Sequence, residues 1–262
     1  MLLANKNAVV YGAAGAVGSA VARAFAREGA HVFLAGRTLE TLDALAHEII
    51  DAGGMAEAAQ VDALDEHALV QHAMSVIETA GSLDITFNAI AGEDVFGTPI
   101  VEMKLEDFVP PIASMMTSHF LIAKAVVPHM AKQRSGVIIM ITANVARVGT
   151  PDLVGSFGTV GAAIEGFTRQ LAAEVGSDGI RVVCLRSAGS PDAPGLDQVM
   201  HDQARMAGIT REELEARWAA GIPLRRLPKL VEIGNVAALI ASDYASPLTG
   251  TVANATCGAV VD

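Results

Sequence analysis

Short apolar runs alternate along the chain with segments in which apolar residues recur every three or four positions. Asn7–Tyr11, His31–Ala35, Asp84–Asn88, Gly136–Thr142 and Ile180–Leu185 read as strands. Several are apolar on both faces, which is the mark of strands buried between two layers. Met55–Val61 is a weaker third strand and Thr251–Ala255 a last one. Between them, Ala16–Glu28, Leu39–Ala52, Glu66–Ala80, Ser156–Val175 and Ile233–Ser242 carry helical spacing. The stretch 105–133 contains a long helix that Pro110–Pro111 is expected to delay. Residues 190–229 are polar and proline-bearing, with one helix expected near Arg211–Ala220. The alternation predicts an α/β fold, with one Rossmann-like, doubly wound parallel sheet and helices on both faces. No repeat or linker divides residues 1–262, so a single domain is expected.

Composition narrows the function classes. A formal net charge of −11 argues against nucleic-acid and anionic-membrane partners, which need a basic surface. The two cysteines, Cys184 and Cys257, form no metal-ligand spacing, and no His joins a Cys, Asp or Glu at such spacing. No metal site is expected, and a reduced, cytoplasmic setting is. The N-terminus runs into a strand without a signal-peptide layout, and no apolar run has transmembrane length.

The first chemical signal is the loop Gly12-Ala-Ala-Gly15-Ala16-Val17-Gly18, between the first strand and the first helix. There, glycines let backbone approach a pyrophosphate, and the helix start offers free N–H groups. After the second strand comes Arg37, with no acid at Ala35 or Gly36. An acid at that place bonds a ribose 2′-hydroxyl, whereas an Arg pairs with a 2′-phosphate, so NADP(H) is favoured over NAD(H).

These residues and those downstream resemble the short-chain dehydrogenase/reductase family. The family's loop is similar to TGxxxGxG, which Gly12 and Gly18 match, with Ala16 at the middle glycine and Tyr11 for Thr. Asp62, before Ala63, resembles the family acid that contacts the adenine amine, and Asn88-Ala89 resembles the start of NNAG. The stretches 166–174 and 179–182, Ala241-Ser-Asp243, Leu248-Thr-Gly250 and Gly258 extend the likeness to the C-terminus. The resemblance implies that Gly12, Gly15, Ala16, Val17, Gly18, Arg37, Asp62, Ala63, Asn88 and Ala89 hold a dinucleotide.

It also implies where the reacting groups would stand. A family Tyr serves as acid or base, a Lys one turn on lowers its pKa, a Ser orients the substrate oxygen, and an Asn holds a relay water. Counting from the anchored stretches puts Phe157 at Tyr, Gly161 at Lys and Met115 at Asn. The Ser position falls on Ala143, or on Asn144 by the usual spacing to Tyr, and an Asn could still polarise a carbonyl.

Other residues at strand ends enter as candidates. Glu93 and Asp94 are either a base or a solvated loop, and Arg147 or Arg186 could clamp an anion, with Asp152 nearby. Cys184 reads as an inert core thiol, and His119 faces either the cleft or a subunit interface. The resemblance makes residues 190–229 a substrate lid. Its Leu196, Val199, Met200, Met206 and Trp218 suggest a small apolar or amphipathic ligand. It also implies a homodimer or homotetramer. Three functions remain open: an oxidoreductase with non-standard catalysis, a silent NADP-binding regulator or scaffold, and a non-redox lyase, isomerase or cyclase.

Overall fold

The computed structural model describes residues 1–261. Seven parallel strands form one sheet: β1 Asn7–Tyr11, β2 His31–Gly36, β3 Met55–Gln60, β4 Ile85–Asn88, β5 Gly136–Ala143, β6 Ile180–Ser187 and β7 Thr251–Ala255. The helices are α1 Ala16–Arg27, α2 Leu39–Asp51, α3 Glu66–Ala80, α4 Leu105–Gln133, α5 Phe157–Val175, α6 Pro194–Ala207, α7 Arg211–Ala219 and α8 Leu230–Ala241.

The strand order is β3-β2-β1-β4-β5-β6-β7. Winding reverses between β1 and β4, so the crevice of this open sheet lies at their carboxyl ends. Strand residues point alternately to two cores. In β1, Ala8 and Val10 join α1, α2 and α8, while Val9 and Tyr11 join α3, α4 and α5. Small residues set the helix spacing. A Cβ on Gly234 of α8 would sit 2.7 Å from the Ala20 carbonyl oxygen of α1, so only glycine permits this approach.

Two expectations need correction. α4 begins at Leu105 and runs through Pro110 and Pro111 rather than after them. Each proline removes one helix bond, but the freed carbonyls belong to the first turn, at exposed Glu106 and half-buried Asp107, where water can serve them. Residues 190–229 hold two helices, not one. Pro194 starts α6 at a position where its missing N–H costs nothing, and Gly208 ends it at φ 66. Met200, Ala204 and Leu214 close a small core between α6 and α7. Met206 and Val199 face solvent. No helix among the described residues is long and apolar enough to cross a membrane.

Candidate active site

The loop after β1 and the start of α1 form the first wall of the crevice. Gly12 takes φ +77, and a Cβ there would lie 2.7 Å from the Ala89 carbonyl oxygen. A Cβ on Gly18 would lie 2.2 Å from the Gly12 carbonyl oxygen. The loop therefore folds onto both the segment after β4 and its own helix. Gly15 caps α1 without a side-chain bond, and Ser19 is the first residue to donate back, to the Gly15 carbonyl at 2.8 Å. The N–H groups of Ala16, Val17 and Gly18 have no backbone acceptor among the described residues. That cradle of open N–H groups fits a pyrophosphate.

Arg37 is exposed just past β2, and its guanidinium has no acidic partner among the described residues. Its carbonyl accepts from Gln60 Nε2 at 3.0 Å, which fixes the backbone beneath it. Asp62 is exposed and turns the chain by accepting from the Leu64 N–H at 3.0 Å. Ala63 is buried beneath it. Asn88 is buried at the end of β4, accepts from the Ile90 N–H and bonds His119 Nδ1, each at 2.9 Å. Ala89 donates to the Tyr11 carbonyl at 2.9 Å, tying the loops after β1 and β4 together. His119 thus faces neither cleft nor interface. It is a core imidazole that accepts from Asn88, and burial pushes its pKa down to about 4.

The second wall comes from α4, the β5–α5 loop and the segment 92–97. Met115 is buried, with its sulfur 3.0 Å from where a Gly92 Cβ would stand. Ala143 ends β5 opposite Ser187, and Asn144 opens a short 3-10 turn, Asn144–Ala146. The Asn144 side-chain amide is half-buried and has no protein partner among the described residues. Phe157 begins α5 and meets Phe96 edge to face, with ring centroids 6.2 Å apart. Gly161 is covered by the turn, and a Cβ on it would lie 2.7 Å from the Ala146 Cβ.

Glu93 is exposed, but Asp94 is half-buried and accepts from the Ser156 hydroxyl at 2.9 Å. Burial raises the Asp94 pKa, and the Ser156 bond opposes that rise. Ser156 was invisible as a site residue because its partner lies 62 positions away.

Arg186 is not an anion clamp. It is buried, with Nε and Nη2 each 2.9 Å from a Glu165 oxygen. Thr142 adds a hydroxyl donor to Glu165 at 3.3 Å. Cys184 beside them is an inert core thiol, pushed up to about 12 chiefly by burial. Arg147 and Asp152 are exposed on the β5–α5 loop.

Comparison with known proteins agrees with this architecture. A family model described as enoyl-(acyl carrier protein) reductase matches residues 12–259. Oxidoreductase UcpA of Salmonella typhimurium is 34% identical over 257 residues, covering 95% of this chain and 92% of that one. The chain is a short-chain dehydrogenase/reductase.

Among solved structures, NAD+-bound xylitol dehydrogenase superposes with a TM-score of 0.89 at 24% identity, covering 98% of this chain and 100% of that one. A ketoreductase of actinorhodin polyketide synthesis with NADPH gives 0.85 at 24% identity, covering 97% and 96%. These two likenesses establish the fold alone. This member of the family is an oxidoreductase by relationship, and its fold is one that binds NAD(P)(H).

Proposed function

We propose that this protein is an NADP(H)-preferring oxidoreductase that acts on an apolar carbonyl or alcohol without the family's Tyr–Lys pair. The observation that carries the cofactor reading is Arg37. It stands exposed and free of acidic partners just past β2, the strand whose Ala35 carbonyl accepts from the Gly12 and Ala13 N–H groups of the loop before α1. A 2′-phosphate there gains a charge-assisted bond that a 2′-hydroxyl does not. When bound, the dinucleotide supplies or takes the hydride.

The chain's own residues orient the substrate. Phe157, Phe96 and Met115 offer an apolar wall to the substrate, and the Asn144 amide is available to a carbonyl oxygen. Residues 190–229 would cover the crevice, with Leu196 of α6 held against Gly189, 3.1 Å from its Cβ position. Phe120, 52% exposed on α4, suits a contact between copies of the chain in a dimer or tetramer.

Calorimetric titration with NADPH, NADP and NAD tests the cofactor reading. Tighter binding of the phosphorylated forms, reduced at least about tenfold by Arg37→Ala while NAD is unaffected, is expected. Equal affinity for NAD and NADP in the wild type would overturn the preference. No binding of any of the three would make the glycine loop structural and leave the non-redox alternative.

A further inference from the structure

We propose that Asp94 is the proton-transferring residue of this active site and that Ser156 positions it. The inference rests on the oxidoreductase reading above and names the acid that reading leaves unassigned.

Three observations place Asp94 among the reacting groups. Gly92, two residues before it, packs on Met115 of α4, the position that corresponds to the family Asn. Phe96, two residues after it, meets Phe157 of α5 at 6.2 Å, the position that corresponds to the family Tyr. Asp94 itself is bound through Oδ1 to Ser156, the residue immediately before Phe157. The segment is fastened on the same side by the Gly97 N–H to the Leu153 carbonyl at 2.8 Å, and by Val95, whose carbonyl oxygen lies 2.5 Å from the Gly155 Cβ position. Asp94 is therefore held between the two helices that flank the family's reacting centre.

The two ends of the dyad differ in access. Ser156 is fully buried and cannot meet a substrate. Asp94 Oδ2 has no partner among the described residues and is not among the sealed, unpartnered buried atoms. One oxygen is anchored and the other is free to meet a ligand. Phe157 keeps an aromatic wall but has no proton to give, whereas Asp94, bonded to Ser156 just before that ring, carries a titratable carboxyl. From its own segment Glu93 is exposed. Arg147 and Asp152 on the β5–α5 loop are exposed too. α4 faces the segment with Pro111 and Met115, and α5 with Phe157 and its N-cap Ser156. No neighbouring charge enters the causes of the Asp94 shift.

In the reducing direction the substrate C=O π bond breaks and a C–H bond forms at carbon with the hydride of NADPH, which is oxidised. The substrate oxygen takes the proton from Asp94 Oδ2. The carboxylate then regains a proton from water. Oxidation of an alcohol runs the same steps backwards, with Asp94 as base.

The test uses the full-length protein, NADPH and benzil, an apolar 1,2-dicarbonyl, in wild type, Asp94→Asn and Ser156→Ala from pH 4 to 9. Calorimetry first establishes NADPH binding in all three, so loss of the oxidoreductase reading shows separately as loss of binding. Expected is a wild-type kcat that falls as pH rises through the Asp94 pKa. Asp94→Asn lowers kcat about a hundredfold and flattens the profile. Ser156→Ala moves the falling limb to higher pH, because it removes a bond that favours the carboxylate.

A second readout needs no turnover. Urea unfolding of wild type against Asp94→Asn yields the Asp94 pKa, since its raised folded value costs wild-type stability as pH rises through it. The limb of kcat/KM, which reports the free enzyme, is expected at that same pH. An NADPH-binding wild type with the same benzil kinetics as Asp94→Asn, including no turnover in either, overturns the proposal. So does a kinetic limb unmoved by Ser156→Ala.

Discussion

A Cβ on Gly161 would stand 2.7 Å from the Cβ of Ala146. The 3-10 turn Asn144–Ala146 thus lies directly on the face of α5 that carries Gly161, and a Gly158 Cβ would come 2.9 Å from the Val145 carbonyl oxygen. Gly161→Ala is expected to destabilise the protein by about 1–3 kcal/mol. That outcome runs against intrinsic helix propensity, which favours Ala over Gly by about 1 kcal/mol. Urea unfolding measures it. Gly161→Lys costs more, so adding it to Phe157→Tyr restores no carbonyl reduction unless the turn moves. Phe157→Tyr alone, at a half-buried ring, is expected to leave the unfolding midpoint nearly unchanged. A fully stable Gly161→Ala would show that the turn yields freely.

The glycine loop makes a similarly sharp contrast. A Cβ on Gly18 would sit 2.2 Å from the Gly12 carbonyl oxygen and 2.9 Å from Ala13 Cα, both backbone atoms that cannot step aside. At Gly15 the only near atom is the Gly12 oxygen, at 3.3 Å, and φ is −75. Gly18→Ala is expected to lose dinucleotide affinity by at least about tenfold and to unfold earlier in urea. Gly15→Ala keeps the fold. Equal calorimetric affinity for wild type and Gly18→Ala would mean that the α1 terminus is not where the pyrophosphate sits.

What the sequence made legible follows the range of the interactions involved. β1, β4 and β5 were readable because strands buried on both faces need apolar residues throughout, as Val9, Val10 and Ile138–Met140 are. α6 was missed because Pro194–Gly195 looks like a turn and because only Met200 and Ala204 of its residues are buried. The cradle of Gly12 and Gly18 was readable as a local spacing. The Asp94–Ser156 bond was not, since nothing local in either residue marks a partner on a distant element. Arg186 misled for a different reason. Its place near a strand end suggested the cleft, but two-residue alternation puts it on the α5 face with Cys184, where Glu165 waits.

That buried pair carries its own prediction. Arg186 and Glu165 side chains are 3% and 7% exposed and share a bidentate contact. Removing the carboxylate leaves a guanidinium short of two charge-assisted bonds in a dry site. Glu165→Ala is expected to cost about 3–5 kcal/mol in urea unfolding. Its effect on NADPH affinity should be small, because the pair supports the α5–β6 contact rather than the crevice. A loss of affinity with unchanged stability would reverse that assignment and return Arg186 to a binding role.

Two core imidazoles make the fold less stable as pH falls. His119 accepts from Asn88 through Nδ1, and His72 has neither ring nitrogen partnered while its ring meets Tyr11 at 5.8 Å. Burial lowers both pKa values to about 4 from an ordinary 6.5. The unfolded chain therefore takes up protons first as pH falls. The stability each imidazole contributes is fully present above about pH 6.5 and is lost progressively toward pH 4, by roughly 3 kcal/mol for each. His72→Phe keeps an aromatic ring beside Tyr11 and removes two unsatisfied nitrogens. This variant is expected to unfold at higher urea than wild type at pH 5, with a smaller gain at pH 8, and to show a shallower loss of stability between those values. Parallel wild-type and His72→Phe curves across that range would mean that His72 is solvated in the folded protein.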